Sequence, residues 1–278
     1  MKKLQAIGAP FPIEFSSCSN LKPKHFDWTT DEFPVKVFID GGISTGMSYE
    51  KKSGEQKIAW VCESRTIFHA MNFPREVWEE DFNKICDSYD LVFTSERDFV
   101  GKHPNVRYCI AGSNLPWIKN QAIFPKTKLA SLIASPKKFA FGHGLRHLLA
   151  EKHQDIFDLY GGVLGSKRIG TPPWGDKADG LNDYMFSIVI ENDKYETYYT
   201  EKITDCFVTG TIPVYWGTPD IGNIFNMDGI IELTPEFNPR SLTRELYESK
   251  LDAIKDNFER AKALISADDE LYKLINQP

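Results

Sequence analysis

Short apolar runs alternate along the chain with segments whose apolar residues recur every three or four positions. "VKVFID" (35–40), "KIAWVCE" (57–63), "LVFTS" (91–95) and "VRYCIAG" (106–112) read as strands, the first stopped by Gly41-Gly42. Between the second and third, "PREVWEEDFNKICDSY" carries Val77, Trp78, Phe82 and Ile85 at helical spacing. These elements predict a small parallel-sheet domain over residues 1–122. "NQAIFPKTK" (120–128) reads as the crossing segment, and "LASLIAS" (129–135) opens a second series. There "GHGLRHLLAEKH" (142–153) is helical, with Leu145, Leu148 and Leu149 on one side. "FDLYGG" (157–162) is strand into turn, and "FSIVIEN" (186–192) is a buried strand with a polar end. "GSKRIGTPPWGDKADG" (165–180), rich in Gly, Pro and charge, reads as an exposed loop. "SLTRELYESKLDAIKDNFERAKALI" reads as one long amphipathic stretch that packs over the sheet. The second domain is expected over 123–278, with a C-terminal helix that can pack back on the first. Strands alternating with helices twice over place the chain in the α/β class.

Length and composition narrow the function. The chain has 278 residues, suited to two modest domains, with 41% apolar and 26% charged residues, as in soluble globular proteins. A net charge of -6 argues against nucleic acid, which asks for a basic footprint, but leaves room for a local basic pocket. No apolar run approaches the ~20 residues that span a bilayer, so neither a signal peptide nor a transmembrane anchor is expected. Cys18, Cys62, Cys86, Cys109 and Cys206 are scattered and odd in number, which suits a reducing, cytoplasmic setting. His143 and His147 stand four apart without a Glu or a third ligand, so they read as ordinary helix residues rather than a zinc site.

The densest chemistry lies in "YYTEKITDCFVTGTIPVYWGTP" (198–219). A strand, a polar loop with three tyrosines, a helix from about Glu201 and a second strand make a βαβ unit. Its handedness puts the loop and the helix N-terminus at the carboxyl ends of the strands, where open α/β sheets bind ligands. Thr200 suits an N-cap and Gly210 a helix stop, and Ile203 and Phe207 can face the sheet. A helix N-terminus attracts anions, and Lys202 adds a full positive charge there. The residues alone leave two readings open: a phosphate site in which Glu201 reaches a sugar hydroxyl, or a capped helix with two solvated charges. Tyr195, Tyr198 and Tyr199 can stack on a base or sugar, or simply pack at the rim.

"IENDKYETYYTEKITDCFVTGTIPVYWGTP" resembles the donor-binding motif of the family 10 α-1,3-fucosyltransferases, above all the bacterial ones. Glu191-Asn192, Tyr198, Thr200-Glu201-Lys202, Ile212-Pro213-Val214 and Trp216-Gly217 match in order. Upstream, "LASLIASPKKFAFGHGLRHLLA" is similar to the segment that brings an arginine to the donor diphosphate, and Arg146 takes its place. "KIAWVCES" is similar to the strand that ends in the catalytic carboxylate, which falls on Glu63. The resemblance is strong over about thirty residues. It leaves the first 55 residues and the loop 165–180 unmatched, so the acceptor stays open.

The resemblance implies a GT-B-type fold, with two Rossmann-like domains of mainly parallel sheets facing a cleft. It implies transfer of L-fucose from GDP-fucose to a glycan hydroxyl, with inversion, and an α-1,3 link to a GlcNAc-type sugar as the expected product. Glu63 would be the base; Arg146, Lys202 and the helix N-terminus would hold the diphosphate. Glu201 would contact the fucose, and Asn192 and Tyr198 would line the nucleotide pocket. By position alone, Asp40 is a second candidate base. No Asp-x-Asp motif ends a strand, so a divalent metal is expected as a stimulant at most. Two alternatives are a GT-B transferase with another nucleotide sugar and a non-catalytic glycan-binding relative.

Overall fold

The computed structural model describes residues 2–18, 21–72, 78–170 and 175–277. Contacts divide them into two units. One comprises residues up to 114 with 195–198 and 265–278, and the other comprises 115–194 with 199–264.

The first unit is built on a six-stranded parallel sheet: β1 (Lys2–Ile7), β2 (Phe26–Thr29), β3 (Val35–Ile39), β4 (Gln56–Val61), β5 (Leu91–Thr94) and β6 (Val106–Tyr108), in the order β2-β1-β3-β4-β5-β6. Period-two alternation sends side chains to both faces, which is why the strands read as unbroken apolar runs. Along β4, Ile58 and Trp60 enter one core, with Ala267 and Leu271 of the C-terminal helix. Ala59 and Val61 enter the other, with Phe68, Phe82 and Ile85. Those three residues come from α2 (Arg65–Asn72) and α3 (Trp78–Ser88), which follow the short α1 (Ile43–Met47). Phe82 and Ile85 thus take the core places their spacing predicts; Val77 lies outside the described residues.

The second unit has a five-stranded parallel sheet: β7 (Lys128–Ile133), β8 (Asp158–Tyr160), β11 (Tyr184–Ile190), β12 (Ile212–Trp216) and β13 (Ile231–Glu232), in the order β13-β12-β11-β7-β8. Two parallel sheets with helices fulfil the α/β expectation of two Rossmann-like halves. After β7 the chain runs through α4 (Phe141–His153) to β8 at one edge. After β11 it runs through α5 (Glu201–Phe207) to β12 on the other side. The strand order therefore reverses between β7 and β11, the kind of point where open α/β sheets leave a crevice.

Several expectations need correction. The boundary falls at Asn114/Leu115 rather than 122/123. Residues 115–122 stay with the second unit because the N–H groups of Trp117 and Ile118 donate to Asp205 of α5 and that of Ala122 donates to Val208 O. The long amphipathic stretch is broken into α6 (Arg244–Glu248) and α7 (Leu251–Ala263), and α8 (Ala267–Ile275) then joins the first unit. In α4, Leu148 is exposed, and the buried face carries His143, Arg146, His147 and Ala150. The stretch 165–180 is not wholly loop. It forms the small parallel pair β9 (Ile169–Gly170) and β10 (Gly175–Asp176) and a 3-10 turn over Lys177–Gly180, with residues 171–174 outside the described set.

Candidate functional site

A cavity of about 560 Å³ opens at the strand reversal of the second unit. Its walls come from the ends of β7 and β11 (Ile133, Ser135, Ile190, Asn192), the first turns of α4 and α5, and Lys177. Among the described residues Lys137, Arg146, Arg168, Lys177 and Lys202 line it, against the one carboxylate of Glu201. In a chain of net charge -6 this concentrates positive potential at one place.

α5 is positioned by both ends. Ile203 and Phe207 are buried in the core as their spacing predicts, a burial worth roughly 1.5–3 kcal/mol for each side chain. Gly210 closes the helix at φ +73, a conformation that costs glycine nothing. Thr200 has the extended backbone of an N-cap, but its side chain does not cap the helix. Instead its hydroxyl donates to Glu191 Oε2 at 2.8 Å, while its backbone N–H donates to Glu191 Oε1 at 2.9 Å. Glu191, fully buried, so ties the end of β11 to the start of α5 across the loop between them.

That carboxylate also changes the reading of Lys202. Its ammonium donates to Thr200 Oγ1 at 2.8 Å and lies 3.3 Å from Glu191 Oε2 and 3.6 Å from Glu201 Oε1. The charge at the helix N-terminus is thus already balanced within the protein. It needs no bound anion to be tolerated, although it remains a quarter exposed in the cavity wall.

Glu201 sits between two lysines, with Lys177 Nζ 3.3 Å from the Oε1 that Lys202 also approaches. Burial alone would push its carboxyl up, but Lys202 and Lys177 hold it down at about 2. It is a fixed anion at any working pH. Lys177 also pairs with Asp205 Oδ2 at 2.5 Å and lies 5.1 Å from the centre of the Trp117 ring. Burial opposes its charge, and Asp205 and Glu201 more than offset this, so its pKa lies above that of an ordinary lysine. Sequence reasoning missed Lys177 because it sits in an apparent loop with no motif around it. The available signal was the pair of carboxylates Glu201 and Asp205, one turn apart on α5, which together ask for a cation.

Arg146, buried on α4, donates from Nε to Ile190 O at 2.9 Å and from Nη2 to Ile190 O and to Asn192 Oδ1, the last at 3.0 Å. Asn192 is therefore in the cavity wall and also holds the guanidinium. Gly142 permits this arrangement: its N–H donates to Asn192 O at 3.1 Å, and a Cβ there would lie 1.8 Å from Glu191 O. The structure thus gathers Arg146, Asn192, Glu201 and Lys202 around one cavity. It does not bring Tyr198 there among the described lining residues. Tyr198 is fully buried, stacked 5.0 Å from Tyr195, and groups with the first unit; Tyr199 lies in the second unit's core. For these tyrosines packing is the reading the structure supports. Among the described residues no three His, Cys, Asp or Glu gather as a metal would require. No described helix is long and apolar enough to cross a membrane.

No family model matches the chain. An α-(1,3)-fucosyltransferase of Helicobacter pylori, FucT, is 36% identical over 135 residues, which are 49% of this chain and 26% of that protein. α-(1,3)-fucosyltransferase C of Drosophila melanogaster is 36% identical over 83 residues, 28% of this chain and 19% of its own length. The chain resembles α-1,3-fucosyltransferases of family 10. The matched stretch spans about a quarter of the Helicobacter relative's length and less of the Drosophila one. In fold the likeness runs through the whole chain. A solved α-1,3-fucosyltransferase with GDP superposes with a TM-score of 0.54 over 99% of this chain and 89% of its own, at 14% identity.

In the first unit, Glu63 follows β4 and is partly exposed. Its N–H donates to Asp40 Oδ1 at 3.1 Å, and that of Cys62 donates to the same oxygen at 2.8 Å. Asp40 is fully buried. It holds the strand end on which Glu63 stands and is not placed to meet a bulky sugar.

Proposed function

We propose that this protein is an inverting glycosyltransferase that moves L-fucose from GDP-fucose to a hydroxyl of a glycan, with an α-1,3 link to a GlcNAc-type sugar as the favoured product. The cavity at the strand reversal, walled among the described residues by five cations and one ionised carboxylate, carries the reading. A nucleoside diphosphate is the anion that suits it: two linked phosphates spread their charge over several oxygens, and a guanidinium can bind two of them at once. The similarity to proteins named as fucosyltransferases chooses fucose among the sugars.

In this mechanism Arg146, Lys202 and Lys177 stabilise the charge that develops on departing GDP, and a divalent metal is not required. Glu201, ionised and in the cavity wall, supports the positive charge that grows on the sugar ring. Glu63 takes the proton of the acceptor hydroxyl from the opposite face, as inversion demands. We assign the protein to the cytoplasm on its five buried cysteines, none of them in a disulfide.

Calorimetric titration with GDP and UDP tests the donor assignment. GDP should bind, UDP should bind more weakly, and Arg146→Ala and Lys202→Ala should each lose a charge-assisted contact of ~1.5–3 kcal/mol. Equal affinity for UDP would replace GDP-fucose by another nucleotide sugar, and unchanged GDP affinity in both variants would remove the phosphate assignment. Turnover of GDP-fucose with N-acetyllactosamine-type acceptors separates an enzyme from a glycan-binding relative.

A further inference from the structure

One polar side chain in the cavity wall has no task in the chemistry above. His143 lies on the first turn of α4, ahead of Arg146, and is only 4% exposed. Its Nδ1 accepts the backbone N–H of Ala140 at 3.1 Å. A ring nitrogen that accepts carries no proton, so the proton of the neutral ring is on Nε2, at the far edge. Among the described residues Nε2 has no hydrogen-bond partner, and the residue lines the cavity. Phe139 packs edge-on against the ring, centre to centre at 4.8 Å, and fixes its plane.

Nε2 is not among the fully enclosed polar atoms, so this donor is open to whatever occupies the cavity. The charged and titratable groups that face the ring are Arg146, Lys137, Lys202 and His147. Burial first, and then Arg146, Lys137 and Lys202, push its pKa down to about 4, so the ring is neutral at pH 7. A neutral donor can join a crowd of cations around an anion without adding to their mutual repulsion.

Resting on the donor reading above, we infer that His143 is a further donor-binding residue, whose Nε2–H donates to an anionic oxygen of the nucleotide's diphosphate beside Arg146 and Lys202. The competing role is local: the ring would serve α4 only by accepting from Ala140. Two substitutions separate the roles, because asparagine keeps an acceptor near the Nδ1 position and glutamine keeps a donor near Nε2.

The test is calorimetric titration of GDP into wild type, His143→Asn and His143→Gln, with melting temperatures alongside. His143→Asn should weaken GDP about ten-fold or more, the loss of a hydrogen bond to a charged group, while melting near wild type. His143→Gln should keep GDP affinity within about three-fold even where it melts earlier. A purely local role predicts the reverse, and wild-type GDP affinity in His143→Asn overturns the inference. If the wild type itself binds no GDP, the donor reading fails and takes the inference with it; binding by wild type with an unaffected His143→Asn removes the inference alone. Should His143→Asn not fold, the wild type decides. In ¹⁵N-histidine-labelled protein the Nε2-bound proton should move downfield on saturation with GDP, and no movement overturns the assignment.

Discussion

Asp40 and Glu63 end neighbouring parallel strands, and their surroundings decide which is fit to take a proton from a substrate. Asp40 adopts φ +38, uncommon for a side chain with a Cβ, and one of its oxygens, Oδ2, is buried with no hydrogen-bond partner among the described residues. Burial, and after it the charge of Glu63, pushes its pKa up to about 8, against two backbone N–H groups that favour the anion. The folded protein therefore holds this proton between about pH 4 and about pH 8, where the unfolded chain has released it. Its contribution to stability is complete below about pH 4 and is lost as the pH rises toward 8. Asp40→Asn cannot ionise, so urea unfolding at pH 5 and pH 8 should show a smaller fall in the variant than in wild type. An equal fall in both would end this account of Asp40. Turnover gives the complementary test. Glu63→Gln should cut kcat by ~10²–10⁴-fold with GDP affinity intact, and Asp40→Asn should keep most of it. A dead Asp40→Asn beside a near-normal Glu63→Gln would move the base to residue 40.

α4 shows how much of an element its pattern conveys. Its extent was legible, because Leu145, Leu148 and Leu149 recur at helical spacing. Its orientation was not. Leucine spacing alone implies a plain apolar face, whereas the helix also buries His143 and, beside it, Arg146 and His147, which pair with the carbonyls of Ile190 and Ser135 and with the Asn192 amide. Polar side chains satisfied by partners distant in sequence leave no periodic trace. The same reason hid Lys177, whose partners Glu201 and Asp205 lie on α5. α5 itself was legible because its helix stop, its apolar pair and its motif all fall in one short stretch. Two glycines on α4 test the element directly. Gly142→Ala would drive a Cβ into Glu191 O and push the helix from β11, displacing Arg146. It should cost ~1–3 kcal/mol of stability and weaken GDP. Gly144, with nothing within 4 Å of an added Cβ, should gain roughly 0.5–1 kcal/mol as Ala and leave GDP unaffected. Thermal melts and titrations of the pair check both; a Gly142→Ala protein indistinguishable from Gly144→Ala would show that the close approach is not needed.

At the scale of the whole molecule, the chain leaves the first unit at Asn114 and its last fourteen residues, 265–278, return to it. Apolar contact alone does not explain the return. Ala267 and Leu271 of α8 enter the core beside Trp28 and Trp60, but the register is fixed by Asp268, which is fully buried. Its carboxylate accepts from Ser17 N, from Ser17 Oγ at 2.6 Å and from Trp28 Nε1 at 2.8 Å. Asn114 adds a second clasp, accepting from Ala267 N and donating to Ile265 O. Removing the carboxylate strands several buried donors at once, each costly to leave unpaired. Asp268→Ala should therefore destabilise the first unit by ~2–4 kcal/mol, while the cavity of the second unit, built from other residues, keeps its GDP affinity within about three-fold. Unfolding followed by tryptophan fluorescence, with and without GDP, reads both quantities in one protein. A variant that loses GDP binding in step with its stability would mean that the tail's docking is coupled to the donor site, and that the two units do not act as separate bodies in folding.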